Sequence, residues 1–239
     1  MIHWTIEDMR NWSCLGRIFF LRHGETEGNA EGRYIGSATD EELSMDGMTA
    51  IKALRRAPYI PLSSQLLKIY TSPMLRCRQT AGLLYPEVLK ETVEDWKEIY
   101  FGKFEGHNYE ELKNDADYQA WIDGGGMGDF PGGERREDFR RRILRGFDHV
   151  VEEMETWTPG REGIRLREIT ERTRREIPNV AALVHGGVIM TILSAYMGGS
   201  YFDYQCSNGE GYACLLMQDG EKGVHLTDLL LLRPDQERE

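Results

Sequence analysis

Two histidine-glycine pairs carry the clearest chemical signal in this sequence. His23 follows Arg22 and precedes Gly24, and His185 precedes Gly186. A neutral imidazole can attack phosphorus and form a covalent intermediate, which divides one difficult transfer into two easier steps. The guanidinium group of arginine fits phosphate oxygens bidentately and stays charged at any working pH. Together these residue types predict a pocket for a tetrahedral anion such as a phosphoryl group.

Each histidine stands at the end of an apolar run. Residues 18–21 and 179–184 are predicted to be strands that are buried on both faces of a parallel sheet. Because ligands bind outside the carboxyl ends of such strands, we expect His23 and His185 to meet there, with His23 exposed at its strand end. The helix that opens at Gly186 would aim backbone N–H groups at the anion.

The rest of the chain alternates predicted helices and strands. Helical spacing of apolar residues predicts helices over 45–57, 74–85, 139–157 and 186–197. A strand ends at Thr71 and Ser72, and Ser72 followed by Pro73 is predicted to cap the next helix. Two further strands, 211–217 and 223–232, flank an Asp-Gly turn.

This alternation predicts the α/β class. We expect a three-layer α/β/α arrangement, with a mostly parallel sheet and helices on both faces. The length of 239 residues fits a single domain over 1–239, in which residues 1–16 form an N-terminal extension.

Composition excludes several classes of function. The net charge of -11 argues against a nucleic-acid partner or an acidic membrane surface. No apolar run approaches the roughly 20 residues that cross a membrane, and the first residues lack the features of a signal peptide. Metal-ligand spacing is absent from the four cysteines, which are Cys14, Cys77, Cys206 and Cys214. We therefore expect reduced thiols and a cytoplasmic location. We expect no metal and no cofactor.

Five segments resemble, in order, the motifs of the histidine phosphatase superfamily, the group that includes phosphoglycerate mutase-like phosphatases. They read "LRHGETEGN", "YTSPMLRCRQTA", "KEIYFGKFEG", "FPGGE" and "VHGGVIMTIL" and extend over most of the chain. The resemblance implies a phosphoglycerate mutase-like fold. It also implies a phosphoryl transfer that proceeds through a phosphohistidine.

The resemblance assigns roles to individual residues. His23 would be the nucleophile, and Arg22, Arg76 and His185 would clamp the phosphoryl group. Composition alone does not select a proton donor from the many acidic neighbours, but the register of "EIYFG" implies Glu98. The implied phosphate contacts further include Thr26, Asn29 and Gly186.

The resemblance favours hydrolysis over transfer. Gly28 stands where the mutases have tryptophan, and a middle segment rich in arginine and consecutive prolines is absent. The loop "GRYIGSATDEELSMDG" is similar to that of the α-ribazole phosphatases. We expect a metal-independent phosphomonoesterase acting on a small phosphorylated metabolite, with α-ribazole phosphate as the first candidate, in a monomer or homodimer. The alternatives are a phosphoglycerate mutase-type phosphotransferase and an inactive phosphoester-binding module.

Two segments near the middle of the chain have other interpretations. The run "RREDFRRRILR" is predicted to be a charged helix face balanced by nearby acids rather than an anion patch. His149 is expected on the solvated face of the same helix. The stretch "GGGMGDFPGGE" is predicted to be a mobile surface loop, and the family resemblance implies that it lies near the substrate entrance.

Overall fold

The architecture is that of a mixed sheet with helices on both faces. The computed structural model describes residues 12–157, 164–165, 177–221 and 223–234. The described strands, which all belong to one sheet, are β1 (Ser13–Arg22), β2 (Lys68–Thr71), β3 (Lys90–Thr92), β4 (Ile164–Arg165), β5 (Asn179–Val184), β6 (Gly211–Gln218) and β7 (Val224–Leu232).

The α-helices of the described residues vary in length from about one turn to about six turns. They are α1 (Glu27–Ala30), α2 (Met45–Leu54), α3 (Leu75–Leu84), α4 (Tyr109–Leu112), α5 (Ala116–Asp123), α6 (Arg136–Trp157) and α7 (Gly186–Met197).

The strand order confirms the predicted fold class. The sheet runs β3-β2-β5-β1-β6-β7, with β4 paired to β1. Strands β3, β2, β5 and β1 are mutually parallel, and β6 runs antiparallel to its neighbours β1 and β7. The parallel half of the sheet is the part that positions the two histidines.

Both faces of the central strands are buried, which explains their uninterrupted apolar sequences. Ile18 and Phe20 belong to a core cluster that includes residues of α6 and α7. Leu21 belongs to a second cluster with Ile51 of α2 and Leu84 of α3. Because successive side chains on a strand point to opposite faces, a stretch covered on both faces, such as residues 18–21 of β1, has no polar position.

The register of β1 and β5 brings the two strand ends together. Arg22 lies opposite Val184, and the amide of His23 donates to the Val184 carbonyl oxygen at 2.9 Å. The polypeptide leaves the sheet at this point after both β1 and β5. His23 and His185 therefore emerge side by side, as the sequence predicts.

Strand β1 begins earlier than the sequence predicts, at Ser13 rather than Ile18. Ser13 pairs with Gln218 of β6, so residues 13–16 belong to the sheet. The prediction of an N-terminal extension over residues 1–16 is wrong for these four. A register shift between Cys14 and Gly16 interrupts the ladder. Residues 1–11 and the acidic tail 235–239 lie outside the described residues.

The cysteines are all buried and unpaired, in agreement with the expectation of free thiols. None of the helices in the described part of the chain is both long enough and apolar enough to span a membrane.

Candidate active site

His23 has one ring nitrogen held by the backbone. Its Nδ1 atom lies 2.7 Å from the carbonyl oxygen of Gly24. A carbonyl oxygen can only accept, so Nδ1 carries the proton and Nε2 keeps its lone pair. This tautomer is the one in which Nε2 can act as a nucleophile.

The expectation that His23 is exposed is wrong, because its side chain is only 3% accessible. Arg76 packs against the ring, and the Asn208 amide donates to the His23 carbonyl oxygen at 3.0 Å. Burial lowers the pKa of His23 well below its ordinary value, and the charges of Arg76 and Arg22 lower it further. The imidazole is therefore neutral at physiological pH.

Arg76 contacts the reactive nitrogen directly. Its Nε donates to Nε2 of His23 at 3.2 Å, and the side chain is fully buried. The two terminal nitrogens donate to the carbonyl oxygens of Thr39 at 3.0 Å and Gly36 at 3.2 Å. These carbonyl groups fix the guanidinium group without neutralising it, which leaves a positive charge against Nε2 of His23.

Arg22 has an unsatisfied buried donor. Its Nη1 donates to the Cys206 carbonyl oxygen at 2.8 Å, whereas Nε is buried and makes no hydrogen bond to any described residue. A buried N–H without a partner is costly, and bound anions are among the groups that satisfy such donors. Arg22 Nε also faces Gly186, at the start of α7. The Nε group thus marks one side of an anion site.

His185 lies behind His23. The two ring centroids are 5.1 Å apart, and His185 is fully buried. Burial lowers the pKa of His185 well below its ordinary value, and the nearby charge of Arg76 adds to this effect. Nε2 of His185 shares a 2.8 Å hydrogen bond with the hydroxyl group of Ser72.

The predicted capping role of Ser72 is wrong. Helix α3 starts at Leu75 and its N-cap is Met74, which makes no side-chain cap. The Ser72 hydroxyl group accepts from the Met74 N–H at 3.3 Å, but this bond lies before the first turn of the helix. The Leu75 amide instead donates to Oδ1 of Asp40 at 2.7 Å. Ser72 follows the last residue of β2, so its hydroxyl group reaches the same strand ends as His185. Its position at a strand end was the signal that could have identified it as a site residue.

Glu98 is held by two backbone amides. Ile99 N–H donates to Oε1 at 2.9 Å, and Gly187 N–H donates to Oε2 at 3.2 Å. The side chain is 8% accessible. A methyl group on Gly187 would collide with Oε1, so glycine is required for this close approach. Helix α7 therefore orients the carboxyl group.

Asn29 and Thr26 form a reciprocal cap at the start of α1. The backbone N–H of Asn29 donates to the Thr26 hydroxyl group at 3.2 Å, and the backbone N–H of Thr26 donates to Asn29 Oδ1 at 3.3 Å. Asn208 also donates to Asn29 Oδ1, at 3.1 Å. With Oδ1 engaged twice as an acceptor, the orientation of the Asn29 amide is fixed and its NH₂ group can donate to a ligand. Asn208 was not predicted as a site residue, because the sequence "SNGEG" around it indicates only a turn.

These residues surround a cavity of about 280 Å³. Five of the predicted site residues line it, namely Arg22, His23, Asn29, Glu98 and Gly186. The other three, Thr26, Arg76 and His185, are fully buried and do not line it. The lining also includes six aromatic residues that were not predicted as site residues: Tyr34, Phe101, Trp121, Phe130, Tyr201 and Phe202.

One cluster of possible metal ligands lies elsewhere in the described part of the chain. Glu91, His149 and Glu153 bring their ligand atoms within 4.8 Å of one another. The Lys68 ammonium group already pairs with both carboxylates, at 2.5 and 2.6 Å. Lys68 begins β2, so this cluster is at the opposite end of that strand from Ser72.

This chain is similar to known proteins. The family model described as the histidine phosphatase superfamily, branch 1, matches residues 18–158, more than half of the chain. A broad-specificity phosphatase from Saccharomyces cerevisiae is 28% identical over 184 residues, which cover 74% of this chain and 68% of that protein. An adenosylcobalamin/α-ribazole phosphatase from Salmonella typhimurium is 31% identical over 137 residues, which cover 54% of this chain and 64% of that protein. The match thus spans just under two thirds of the Salmonella protein.

A solved structure shares the fold over nearly the whole chain. The α-ribazole phosphatase from Shigella flexneri superposes with a TM-score of 0.65, covering 91% of this chain and 96% of that one. The two sequences are only 18% identical, so this likeness concerns the fold alone.

Proposed function

This chain belongs to the histidine phosphatase superfamily and is a phosphatase, and we propose that it hydrolyses a small phosphomonoester through a phosphohistidine at His23, without a metal. One observation carries the proposal. Nε2 of His23 carries the lone pair of a neutral imidazole, and Arg22, whose buried Nε has no hydrogen-bond partner, lines the same cavity.

In the first step Nε2 of His23 attacks phosphorus while the bond from phosphorus to the ester oxygen breaks. Arg76 Nε, which donates to Nε2 in this structure, transfers its hydrogen bond to a phosphoryl oxygen. Arg22 Nε and the Asn29 NH₂ group donate to the other oxygens, so charge is stabilised where it develops. Protonated Glu98 gives its proton to the leaving oxygen.

In the second step water attacks the phosphohistidine. Glu98, now a carboxylate, takes a proton from that water, and the bond between phosphorus and Nε2 breaks. Phosphate leaves and His23 returns to its neutral tautomer, in which Nδ1 donates to Gly24. The same carboxyl group thus serves first as an acid and then as a base.

We propose α-ribazole 5′-phosphate as the first specific substrate to test. The relative from Salmonella is named for that substrate, and the loop of residues 32–47 is similar to the loop of the α-ribazole phosphatases. A benzimidazole base would also fit against the aromatic wall of the cavity. The buried, unpaired cysteines support a cytoplasmic location for this reaction.

The test is phosphate release in the presence of a chelator. The panel contains p-nitrophenyl phosphate, α-ribazole 5′-phosphate, phosphoglycerates, sugar phosphates and nucleotides, and His23→Ala from a parallel preparation controls for contaminating phosphatases. We expect release by the wild type that the chelator does not reduce. Release by neither protein, or release that the chelator abolishes, would contradict the proposal. Exchange of labelled 3-phosphoglycerate into its isomer without release would indicate a mutase instead.

A further inference from the structure

Arg136 brings a second positive charge to the cavity that contains His23. It is the first residue of α6 and lines that cavity. Its guanidinium carbon lies 5.1 Å from the ring centroid of Phe130 and 5.6 Å from that of Tyr201. Two aromatic faces therefore hold this half-buried side chain in place.

The hydrogen bonds of Arg136 fix one edge of its guanidinium group. Nε donates to the Gly128 carbonyl oxygen at 2.9 Å, and Nη2 donates to that of Gly126 at 2.5 Å. Within the described ranges, Nη1 makes no hydrogen bond to a carboxylate or carbonyl oxygen. The Tyr201 hydroxyl group also forms a hydrogen bond with the Arg136 side chain, so an oxyanion bound bidentately at the edge of Nη1 and Nη2 would lie beside that hydroxyl group.

The charge of Arg136 is not compensated. Asp129 Oδ1 accepts from the backbone N–H of Arg136 at 2.8 Å, but no carboxylate among the residues that the structure describes lies within 4.0 Å of the guanidinium nitrogens. Carbonyl oxygens do not neutralise a cation. The neighbouring arginines differ in this respect. Arg33, which lines the same cavity, pairs with Glu111 at 2.8 Å, and Arg142 of α6 pairs with Glu134 at 2.7 Å.

Much of the lining of this cavity is apolar. Beside its aromatic residues, the cavity is lined by Ile35, Ile99 and Met190. A leaving group that reaches Arg136 from His23 through this cavity would contact that lining and therefore needs an apolar or aromatic body. An uncompensated cation beside such a lining adds a requirement for negative charge.

We propose that Arg136 is a specificity-determining residue that binds an oxyanion on the leaving group. The preferred substrate is then a phosphomonoester whose apolar or aromatic body also bears a carboxylate or a second phosphoryl group. This inference rests on the proposed phosphatase reaction, since it concerns the part of the substrate that leaves. It ranks such esters above α-ribazole 5′-phosphate, which has no second anionic group.

A competing role for Arg136 is purely structural, because its two hydrogen bonds attach the loop of residues 124–128 to α6. Loss of that attachment would affect all substrates alike, whatever their charge. The test therefore compares substrates that differ in charge and hardly in shape. The matched pairs are 3- and 4-carboxyphenyl phosphate against 3- and 4-carbamoylphenyl phosphate, with 4-(phosphonomethyl)phenyl phosphate to distinguish a phosphoryl group from a carboxylate.

The variants are Arg136→Gln and the control Arg135→Gln, which removes a 72% exposed arginine from the same turn. For the wild type we expect kcat/KM to favour an anionic ester over its carbamoyl partner by about tenfold, the scale of a charge-assisted hydrogen bond. Arg136→Gln should abolish this preference and Arg135→Gln should keep it. An equal preference in all three proteins, or an equal fall for both esters in Arg136→Gln, would overturn the inference.

A binding measurement separates this inference from the proposed reaction. Calorimetry with 4-carboxybenzylphosphonate and 4-carbamoylbenzylphosphonate makes the same comparison without turnover. Tighter binding of the carboxylate, lost in Arg136→Gln, would support the role of Arg136 even if no ester were hydrolysed. Equal binding of both compounds by the wild type would contradict it, whatever the rate of hydrolysis.

Discussion

At the scale of single residues, backbone groups determine which side-chain atoms can react. The Gly24 carbonyl oxygen holds Nδ1 of His23, and the amides of Ile99 and Gly187 hold the two oxygens of Glu98. Neither group depends on a flexible partner for its orientation. The proposed nucleophile and the proposed acid are therefore preorganised before a substrate binds.

The role of Glu98 can be tested through the leaving group. Glu98→Gln removes the acid but keeps a side chain of similar shape, so alkyl phosphates should slow by about 10²-fold or more. p-Nitrophenyl phosphate should slow far less, because its phenolate leaves without a proton. Steady-state kcat/KM for both substrates measures the difference.

A matched control is Glu94→Gln, four residues earlier in the chain, whose side chain is 73% exposed. Its rates should equal those of the wild type for both substrates. Equal slowing of alkyl and nitrophenyl esters by Glu98→Gln would mean that Glu98 does not protonate the leaving group.

At the scale of elements, the first turn of α7 joins the catalytic groups. It follows His185 directly, its Gly187 amide binds Glu98, and Gly186 faces Arg22. The first amides of a helix have no intrahelical acceptor, so they are available to such partners. This single turn thereby sets the spacing between the acid and the anion site.

Gly187→Ala should displace Glu98, because the added methyl group would collide with Oε1. We expect the kinetic signature of Glu98→Gln, with alkyl phosphates slowed more than p-nitrophenyl phosphate, at a smaller magnitude. The same two-substrate assay measures it. Gly82→Ala in α3, where a methyl group meets no atom within 4 Å, is the control and should keep full activity.

If Gly187→Ala slowed both substrates equally, the close approach of α7 to Glu98 would have no part in proton transfer. The Gly82→Ala control should also raise stability slightly, by about 0.5–1 kcal/mol, because alanine favours a helix interior over glycine.

At the scale of the whole molecule, burial of two histidines makes stability depend on pH. Folding lowers the pKa of His23 and His185 well below the value near 6.5 of an unfolded chain. Below about pH 6.5 the unfolded chain therefore binds protons that the native protein does not. The free energy of unfolding should fall with decreasing pH, by up to about 1.4 kcal/mol per pH unit for each histidine.

Urea unfolding at pH 7.5, 6.5 and 5.5 measures this dependence. Other titrating groups contribute to the wild-type slope, so the comparison is with His23→Gln and His185→Gln. Each variant should have a shallower slope than the wild type below about pH 6.5. Identical slopes would show that the native histidines take up protons as readily as the unfolded chain does.

Much of the fold and of the polar site could be predicted, because apolar runs and strand-end motifs are local signals. The apolar patterns of residues 18–21 and 179–184 predict the central strands, and the His-Gly pairs predict where these strands end. The start of β1 at Ser13 could not be predicted in this way, since its pairing with β6 depends on residues two hundred positions away.

Residues whose roles depend on distant partners were also missed. Arg136 belongs to a run of charges that otherwise forms the expected ion-paired face, as Arg142 and Arg145 do. Only the packing of Phe130 and Tyr201 places it on the cavity. Ser72 and Asn208 likewise acquire their contacts only when separate loops meet.

The stereochemical course at phosphorus tests the central claim, a covalent phosphohistidine, most directly. The substrate is phenyl phosphorothioate made chiral with oxygen-18 and hydrolysed in water enriched in oxygen-17, and the configuration of the released thiophosphate is determined. Two in-line displacements, first by His23 and then by water, predict overall retention. Overall inversion would show that water attacks the substrate directly, and would contradict the account.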